Sequence, residues 1–291
     1  MAPAPIPPPR GSGFTRSTGA PLYWCSYGPS GAPRLLVLHG GPGADHAYLL
    51  PQMLALAADF ELIFYDQRGG GRSKEVVPTV ITWETQVDDL AHVIAELGID
   101  PLSLVGYSWG GLLALLYARG AADHARPMPA RLVLIDPAPV SKAYRSRFEA
   151  EFARRQQGPA IQSMRAELAA SGLKERDPEA YRQRAFEVSV AGYFADPNRA
   201  ADLTPFRVTG RVQQSIWESL GDFDLEADLR SMHCPALVVH GRQDPIPFES
   251  SESIAKSLGA EFVPLDDCGH VPYVEQPVKL FSALKDFLRR Q

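Results

Sequence analysis

Short apolar runs alternate with segments of helical periodicity along most of this chain. The predominantly apolar runs lie at residues 34–38, 61–65, 102–105, 131–135, 236–239 and 261–264. Runs of this length without polar alternation predict strands that are covered on both faces. Apolar stripes at helical spacing predict helices at 83–97, 250–258 and 278–288. Strands that alternate with helices predict an α/β fold with a mostly parallel sheet and helices on both faces.

The alternation is interrupted between residues 139 and 228. This stretch is charged and helical in pattern, and it contains no clear strand. An insertion of this length above the edge of a sheet is typical of a cap with a functional role. The sequence therefore predicts a core of residues 14–138 and 229–291, with a helical cap at 139–228 inserted after the sixth strand.

The N-terminal region has a different pattern. Residues 1–13 are rich in proline and lack the apolar segment of a secretory signal, so they predict a flexible tail. Residues 14–18 and 22–27 flank Gly19-Ala20-Pro21 and predict an opening β-hairpin.

Composition and charge narrow the class of protein. The chain has 291 residues, of which 45% are hydrophobic and 22% charged, and its net charge is −5. No basic stripe favours nucleic acid, and no apolar run is long enough to cross a membrane. The distant cysteines Cys25, Cys234 and Cys268 predict reduced thiols in a cytoplasmic protein, without a disulfide framework or zinc site. The oligomeric state stays open.

Ser108 lies in the pentapeptide Gly106-Tyr107-Ser108-Trp109-Gly110, between the predicted strand 102–105 and a helical segment. A serine between glycines at a strand-to-helix turn is typical of a nucleophile elbow. The flanking glycines are required because the turn is sharp and its backbone is strained. We therefore expect the Ser108 hydroxyl at the C-terminal edge of the sheet, next to the N-terminus of a helix.

A serine nucleophile needs a base, and the base needs an acid that orients it. In folds with a nucleophile elbow these residues follow in the order serine, acid, histidine. Asp244 comes after the predicted strand 236–239, and His270 comes after the strand 261–264. Both loops leave the edge at which open α/β sheets bind ligands. Ser108, Asp244 and His270 are therefore the predicted catalytic residues.

Other carboxylates are alternatives for the acid. Asp136 follows the strand 131–135 and could serve in a variant arrangement, whereas Asp266 and Asp267 are close to His270 in sequence. The chain has no His-Glu-x-x-His segment. The sequence therefore predicts neither a metal site nor a cofactor.

The negative oxygen of a tetrahedral intermediate needs two fixed N–H donors. The backbone amide of Trp109, at a helix N-terminus, is the first candidate. Gly41 is the second, because the run His39-Gly40-Gly41-Pro42-Gly43 follows the strand 34–38. A phosphate-binding loop is the alternative, but the chain has no Gly-Lys-Ser or Gly-Lys-Thr segment to complete one.

Several motifs together resemble the proline iminopeptidases of the α/β-hydrolase superfamily. They are His39-Gly40-Gly41-Pro42-Gly43 with His46 and Tyr48, Asp66-Gln67-Arg68-Gly69-Gly70-Gly71-Arg72-Ser73, and Gly106-Tyr107-Ser108-Trp109-Gly110-Gly111. The resemblance implies an α/β-hydrolase fold with a helical cap, a Ser-His-Asp triad and no cofactor. It also implies that Asp66 and Arg68 are mainly architectural.

The resemblance further implies that carboxylates near the cap bind the substrate's protonated amine. Some members carry a carboxylate directly after the catalytic acid, where this chain has Pro245. Glu187 and Glu218 in the predicted cap are the candidates, and solvated helix positions are the alternative. Trp217 and Tyr107 are candidate pocket walls, with core packing as the alternative.

These residues predict a serine hydrolase that acts through an acyl-enzyme. The preferred substrate is a short peptide from which N-terminal proline or another small residue is removed. A carboxylesterase acting on small esters would use the same triad without an amine site. A non-catalytic receptor for small molecules, built on the same fold, is the alternative from another class.

Overall fold

The computed structural model describes residues 6–74, 81–121 and 123–290. Within these residues, eight strands form one mixed sheet. The strands are β1 Gly11–Phe14, β2 Tyr23–Tyr27, β3 Arg34–Leu38, β4 Glu61–Tyr65, β5 Ser103–Tyr107, β6 Arg131–Ile135, β7 Ala236–Gly241 and β8 Glu261–Leu265. Their spatial order is β1-β2-β4-β3-β5-β6-β7-β8. The pairs β1–β2 and β2–β4 are antiparallel, and the other neighbours are parallel.

Helices connect the strands. The α-helices are α1 Leu50–Met53, α2 Trp83–Glu96, α3 Trp109–Ala121, α4 Lys142–Gln156, α5 Pro159–Ala170, α6 Leu173–Arg176, α7 Pro178–Val190, α8 Gly210–Leu220, α9 Glu226–Leu229, α10 Phe248–Leu258, α11 Pro272–Glu275 and α12 Pro277–Leu288. Short 3₁₀ helices lie at Leu54–Leu56, Ala191–Tyr193 and Pro197–Asp202. Helices α4 to α8 follow β6 and form the cap.

Both faces of the sheet are covered by apolar side chains. Alternate residues of a strand point to opposite faces. Leu35 of β3 therefore packs in the same cluster as Leu284 of α12, whereas Leu36 packs with Leu90 of α2 and with α3. The predicted fold class, a mostly parallel sheet between helical layers with a cap after the sixth strand, is confirmed.

The structure corrects the predicted N-terminal boundary. Gly11–Phe14 forms β1, in which Gly11 pairs with Ser26 and Phe14 with Tyr23. Residues 11–13 are therefore not part of a tail, and the first hairpin strand begins earlier than residue 14. The segment Gly11-Ser12-Gly13 has no apolar pattern that could mark it as a strand. Residues 1–5 of the predicted tail lie outside the described residues.

In the part of the chain that the structure describes, no helix combines the length and apolar character needed to cross a membrane.

Candidate active site

Ser108 stands at the turn between β5 and α3, in a backbone conformation that side chains rarely adopt. Its φ angle is +52°. A Cβ atom on Gly106 would lie 2.5 Å from the carbonyl oxygen of Gly110, so the turn closes only with glycine there. The Ser108 amide donates to the Ile135 carbonyl at 3.0 Å, which ties the turn to the end of β6. The elbow therefore holds the hydroxyl at the C-terminal edge of the sheet.

The structure brings the three predicted catalytic residues into one hydrogen-bonded line. Nε2 of His270 lies 3.0 Å from Oγ of Ser108, and Nδ1 of His270 lies 2.7 Å from Oδ2 of Asp244. The second oxygen of Asp244 accepts the Ile246 amide at 2.7 Å. Both His270 and Asp244 are buried, and Ser108 is half-buried. This geometry can transfer a proton from the hydroxyl to the imidazole.

Burial sets the resting protonation state of the base. Removal from water lowers the pKa of His270, while the nearby Glu275 carboxylate acts in the opposite direction. The ring is therefore neutral at neutral pH. Since Nδ1 is hydrogen-bonded to the Asp244 carboxylate, Nδ1 carries the ring proton and Nε2 can accept another.

The alternative acid, Asp136, does not orient the imidazole. It is fully buried at the end of β6, and its Oδ1 accepts the Gly241 amide at 2.8 Å. Nδ1 of His270 is already taken by Asp244. Asp136 thus lies beside the predicted acid rather than in its place.

The predicted oxyanion donors lie beside Ser108. Gly41 and Trp109 line a cavity together with the nucleophile, and Gly41 has a φ angle of +56°. Within the described residues, neither backbone amide donates a hydrogen bond to the protein. Gly41 and Trp109 therefore stay the proposed donors for a substrate oxygen.

Side chains of the motifs that carry the resemblance fix this loop. The Trp109 indole donates a hydrogen bond to Oε1 of Gln67 at 2.8 Å. The side-chain nitrogen of Gln67, Nε2, donates one to the His39 carbonyl at 2.9 Å. The Tyr48 hydroxyl accepts the Gly40 amide at 2.8 Å. Gln67 thereby connects the elbow to the glycine-rich loop.

Asp66 and Arg68 make contacts away from the nucleophile. Oδ1 of Asp66 accepts Nδ1 of His46 at 2.6 Å, and the Arg68 guanidinium holds both oxygens of Asp89 at 2.7 and 2.5 Å. Neither Asp66 nor Arg68 lines the cavities at Ser108. Their contacts fit the architectural role that the resemblance implies.

A polar cavity of about 480 Å³ opens on one side of Ser108. Its charged lining residues are Arg145, Glu149 and Glu218, and Trp217 forms part of its wall. Arg145 holds Glu149 at 2.8 Å and stacks over the Trp217 ring at 4.1 Å. Glu218 accepts only the Gln214 side-chain amide, at 2.7 Å, among the described residues. Glu218 is exposed, and no Lys or Arg pairs with its carboxylate among the described residues.

A second, aromatic cavity of about 310 Å³ also opens at Ser108. Its wall is formed by Tyr48, Tyr107, Phe186, Tyr193, Phe206 and Tyr273, and no Asp, Glu, Lys or Arg lines it among the described residues. The ring centroids of Tyr48 and Phe206 lie 4.4 Å apart. The two cavities share Gly41, Ser108, Tyr193, Gln213 and His270. They therefore meet at the nucleophile.

Glu187 is not brought to the site. Its carboxylate accepts Gln183 at 3.0 Å and Arg184 at 2.6 Å, and it lines a separate surface hollow. It lines neither cavity at Ser108. This candidate is therefore set aside. The other candidates, Glu218, Trp217 and Tyr107, do line the cavities.

Several lining residues were not predicted from the sequence, and they include Arg145, Glu149 and Tyr193. Arg145 and Glu149 belong to a charged run whose composition favours a solvated helix face, yet they line the polar cavity. Tyr193 lies in the cap, where its carbonyl accepts the His270 amide at 2.7 Å. No local pattern marks Tyr193, because its role depends on where the cap rests.

The chain matches the alpha/beta hydrolase family over residues 35–284. It is 26% identical to a proline iminopeptidase from Lactobacillus delbrueckii subsp. bulgaricus, covering 88% of this chain and 90% of that protein. A proline iminopeptidase-related protein from Thermus thermophilus superposes with a TM-score of 0.73 at 24% identity, covering 96% of both chains. An enol-lactonase from Burkholderia xenovorans gives a TM-score of 0.66 at 22% identity, over 96% of this chain and 100% of that one. Relatives of different specificity thus share this fold.

Proposed function

Because this chain belongs to the alpha/beta hydrolase family, we propose that it is a serine hydrolase with the triad Ser108, His270 and Asp244. The observation that carries the proposal is the line of hydrogen bonds from Oγ of Ser108 to His270, at 3.0 Å, and from His270 to Asp244, at 2.7 Å. That line ends where two cavities meet, so a substrate carbonyl has room beside the hydroxyl.

The reaction follows from these positions. His270 takes the Ser108 proton at Nε2 while Oγ attacks the substrate carbonyl carbon. The new negative oxygen accepts hydrogen bonds from the Gly41 and Trp109 amides, and loss of one such donor typically costs about 3–4 kcal/mol of transition-state stabilisation. His270 then gives the proton to the leaving group, which departs from the acyl-enzyme. Water, deprotonated by His270, releases the acyl group and restores Ser108.

The preferred substrate is a short peptide with N-terminal proline or another small residue. Cleavage after the first residue requires an ammonium group and a side chain to be bound close to the scissile carbonyl. Within the described residues, the Glu218 carboxylate has no Lys or Arg partner and the aromatic cavity has no charged lining, so the first could bind the ammonium and the second an apolar ring. The proline iminopeptidase from Lactobacillus delbrueckii, at 26% identity, adds support for this class.

A carboxylesterase acting on small esters is the second candidate. The aromatic cavity has no Asp, Glu, Lys or Arg in its described lining, and such a wall also suits an apolar ester. An ester has no ammonium to bind, so the Glu218 carboxylate would have no function in it. The two candidates therefore differ in their dependence on Glu218.

The first experiment compares a fluorogenic prolyl amide with a p-nitrophenyl ester on the same enzyme preparation. Turnover of the amide supports the aminopeptidase, and turnover of the ester alone removes it in favour of the esterase. In Ser108→Ala both activities should fall by about four orders of magnitude or more. Full activity in Ser108→Ala would reject the mechanism. Binding of ligands without labelling by a serine-reactive phosphonate would favour a receptor.

A charge-removing variant tests the amine site. In Glu218→Gln we expect KM for the prolyl amide to rise about 10- to 100-fold, because a charge-assisted hydrogen bond is lost. Turnover of the ester should stay within about twofold, since no ammonium is involved. Glu187→Gln is the matched control, because Glu187 lies on the cap but lines neither cavity. Equal effects of the two variants would exclude Glu218 as the amine ligand.

A further inference from the structure

A second carboxyl group lies buried beside the predicted catalytic acid. One oxygen of Asp136, one oxygen of Asp244 and a ring nitrogen of His240 lie within 4.8 Å of one another. Asp136 is fully buried and has a φ angle of +40°, a conformation that few residues other than glycine adopt. Its backbone amide donates to the Val239 carbonyl at 2.9 Å, which fixes it at the edge of β7.

The hydrogen bonds of the two carboxyl groups differ. Each oxygen of Asp244 accepts a short hydrogen bond. Oδ1 accepts one from the Ile246 amide at 2.7 Å, and Oδ2 accepts one from Nδ1 of His270 at 2.7 Å. Asp136 accepts one backbone amide, from Gly241 at 2.8 Å, and its Oδ2 is buried with no N–H or O–H donor among the described residues. Two ionised carboxylates this close repel each other strongly in a dry interior. A single proton shared by the pair therefore belongs on Asp136.

Among the described groups that face Asp136, none carries a compensating positive charge, whereas the charge of Arg155 acts on Asp244 and lowers its pKa. His240 lies 3.4 Å from Oδ1 of Asp136, but burial lowers its pKa to about 3, so it is neutral. His270 is neutral for the same reason. Burial raises the pKa values of Tyr107, Tyr273 and Cys268, which leaves these groups neutral as well. Glu275, the other carboxylate of this region, is engaged by the Ala195 and Gly269 amides at 2.8 and 2.7 Å.

We propose that Asp136 is a positioning residue that, in its protonated form, donates a hydrogen bond from its carboxyl group to the Asp244 carboxylate. This inference rests on the proposed function of Asp244 as the triad acid. The Asp136 proton gives the otherwise unpaired Oδ2 a partner and adds a third donor to Asp244. Asp244 then stays ionised in a buried place and holds Nδ1–H of His270, so that Nε2 faces Ser108.

Independent support comes from the electrostatics of the pair. Complete burial and the neighbouring charge of Asp244 raise the pKa of Asp136 well above its usual value. Burial also raises the pKa of Asp244, and the hydrogen bonds from Asp136 and the Ile246 amide offset only part of that rise. The pair titrates as one unit, and its proton is retained at neutral pH.

Two substitutions of similar size test whether Asp136 acts as a hydrogen-bond donor or only fills space. Asp136→Asn keeps an N–H that can donate to Asp244, and Asp136→Leu removes the donor. The measurements are the rate at which a fluorophosphonate labels Ser108, the pH profile of kcat/KM, and the melting temperature. We expect D136L to label about 10- to 100-fold more slowly and D136N to stay within about fivefold of the wild type. In the wild type, ionisation of Asp136 should lower kcat/KM at alkaline pH. In D136N this decline should move to higher pH or disappear, because asparagine does not ionise.

Infrared difference spectra supply a readout that does not depend on activity. The wild type minus D136N spectrum at neutral pH should contain the carbonyl stretch of a protonated carboxyl group. Absence of that band would overturn the proposal, even if D136L does not fold. Labelling of folded D136L at the wild-type rate, or an equal loss in D136N and D136L, would also overturn it. Failure of the wild type to react with the phosphonate would instead reject the serine-hydrolase function, while the band would still report the Asp136 proton.

Discussion

The hydroxyl of Tyr107 donates a hydrogen bond of 2.8 Å to the backbone carbonyl of His270. Tyr107 is the residue immediately before the nucleophile, and His270 is the predicted base. The bond therefore ties the end of β5 to the loop that carries the imidazole. The Tyr107 ring also lies 5.2 Å from the His270 ring, measured between centroids. One side chain thus fixes the base from two directions.

Tyr107→Phe should slow the reaction while preserving substrate binding. Loss of the bond leaves a buried carbonyl unpaired, which costs about 1–3 kcal/mol of stability. A less firmly held imidazole should lower kcat about 3- to 10-fold with little change in KM. Tyr117→Phe is the matched control, because the Tyr117 hydroxyl donates to the Pro127 carbonyl at 3.0 Å, away from the site. Equal kcat values in the two variants would show that the Tyr107 bond has no role in positioning the base.

Activity should persist into mildly acidic solution. The base must be neutral to accept the Ser108 proton, and burial lowers the pKa of His270 below its usual 6.5. The acid decline of kcat/KM should therefore have its midpoint below pH 6.5. The measurement is a profile from about pH 4 to about pH 9, with enzyme returned to neutral pH to exclude unfolding. A midpoint at or above pH 6.5 would contradict the buried, neutral state of the ring.

Alkaline pH should weaken the fold through His46. Burial opposes the charge on His46, but hydrogen bonds to Asp66 and Cys25 outweigh it and raise its pKa to about 10. Since the folded pKa exceeds the usual 6.5, this stabilisation is complete below pH 6.5 and is lost as the pH rises towards about 10. In His46→Gln the melting temperature should fall at neutral pH, by the equivalent of about 3–5 kcal/mol, and depend less on pH.

The control for this change is His92→Gln, because His92 is exposed. It should leave both the melting temperature and its pH dependence close to the wild type. If His46→Gln shows the same alkaline loss as the wild type, the ion pair with Asp66 is not the cause.

Phe206→Ala should change which apolar groups the enzyme accepts. Phe206 contacts Tyr48 and lies 5.4 Å from Phe186 between ring centroids, so its removal enlarges the aromatic cavity. For a substrate with a small apolar group, kcat/KM should fall about 10-fold, and a bulkier group should be relatively favoured. Phe262→Ala is the control, because Phe262 lines neither cavity. An unchanged order of preference in Phe206→Ala would place the apolar group elsewhere.

Much of the fold could be predicted because it depends on local pattern. Apolar runs such as Arg131–Ile135 are strands buried on both faces, and the glycines around Ser108 are required by a single sharp turn. Parallel strands bring their C-terminal ends to one edge, so the order of Ser108, Asp244 and His270 along the chain was sufficient to predict that they converge. The resemblance to the α/β hydrolases is confirmed at the level of the family.

Tertiary packing decided the remaining features. Glu187 and Glu218 both lie on helices of the cap, and the packing of α7 and α8 places Glu187 in a separate hollow and Glu218 in the polar cavity. Arg145 and Glu149 have the sequence pattern of solvated positions, and only the packing of the cap shows that they line the polar cavity. Asp136 and Asp244 are 108 positions apart in the sequence, and they follow β6 and β7 respectively. Periodicity specifies which face of an element is buried, but the partner of a given side chain is set by how the elements pack together.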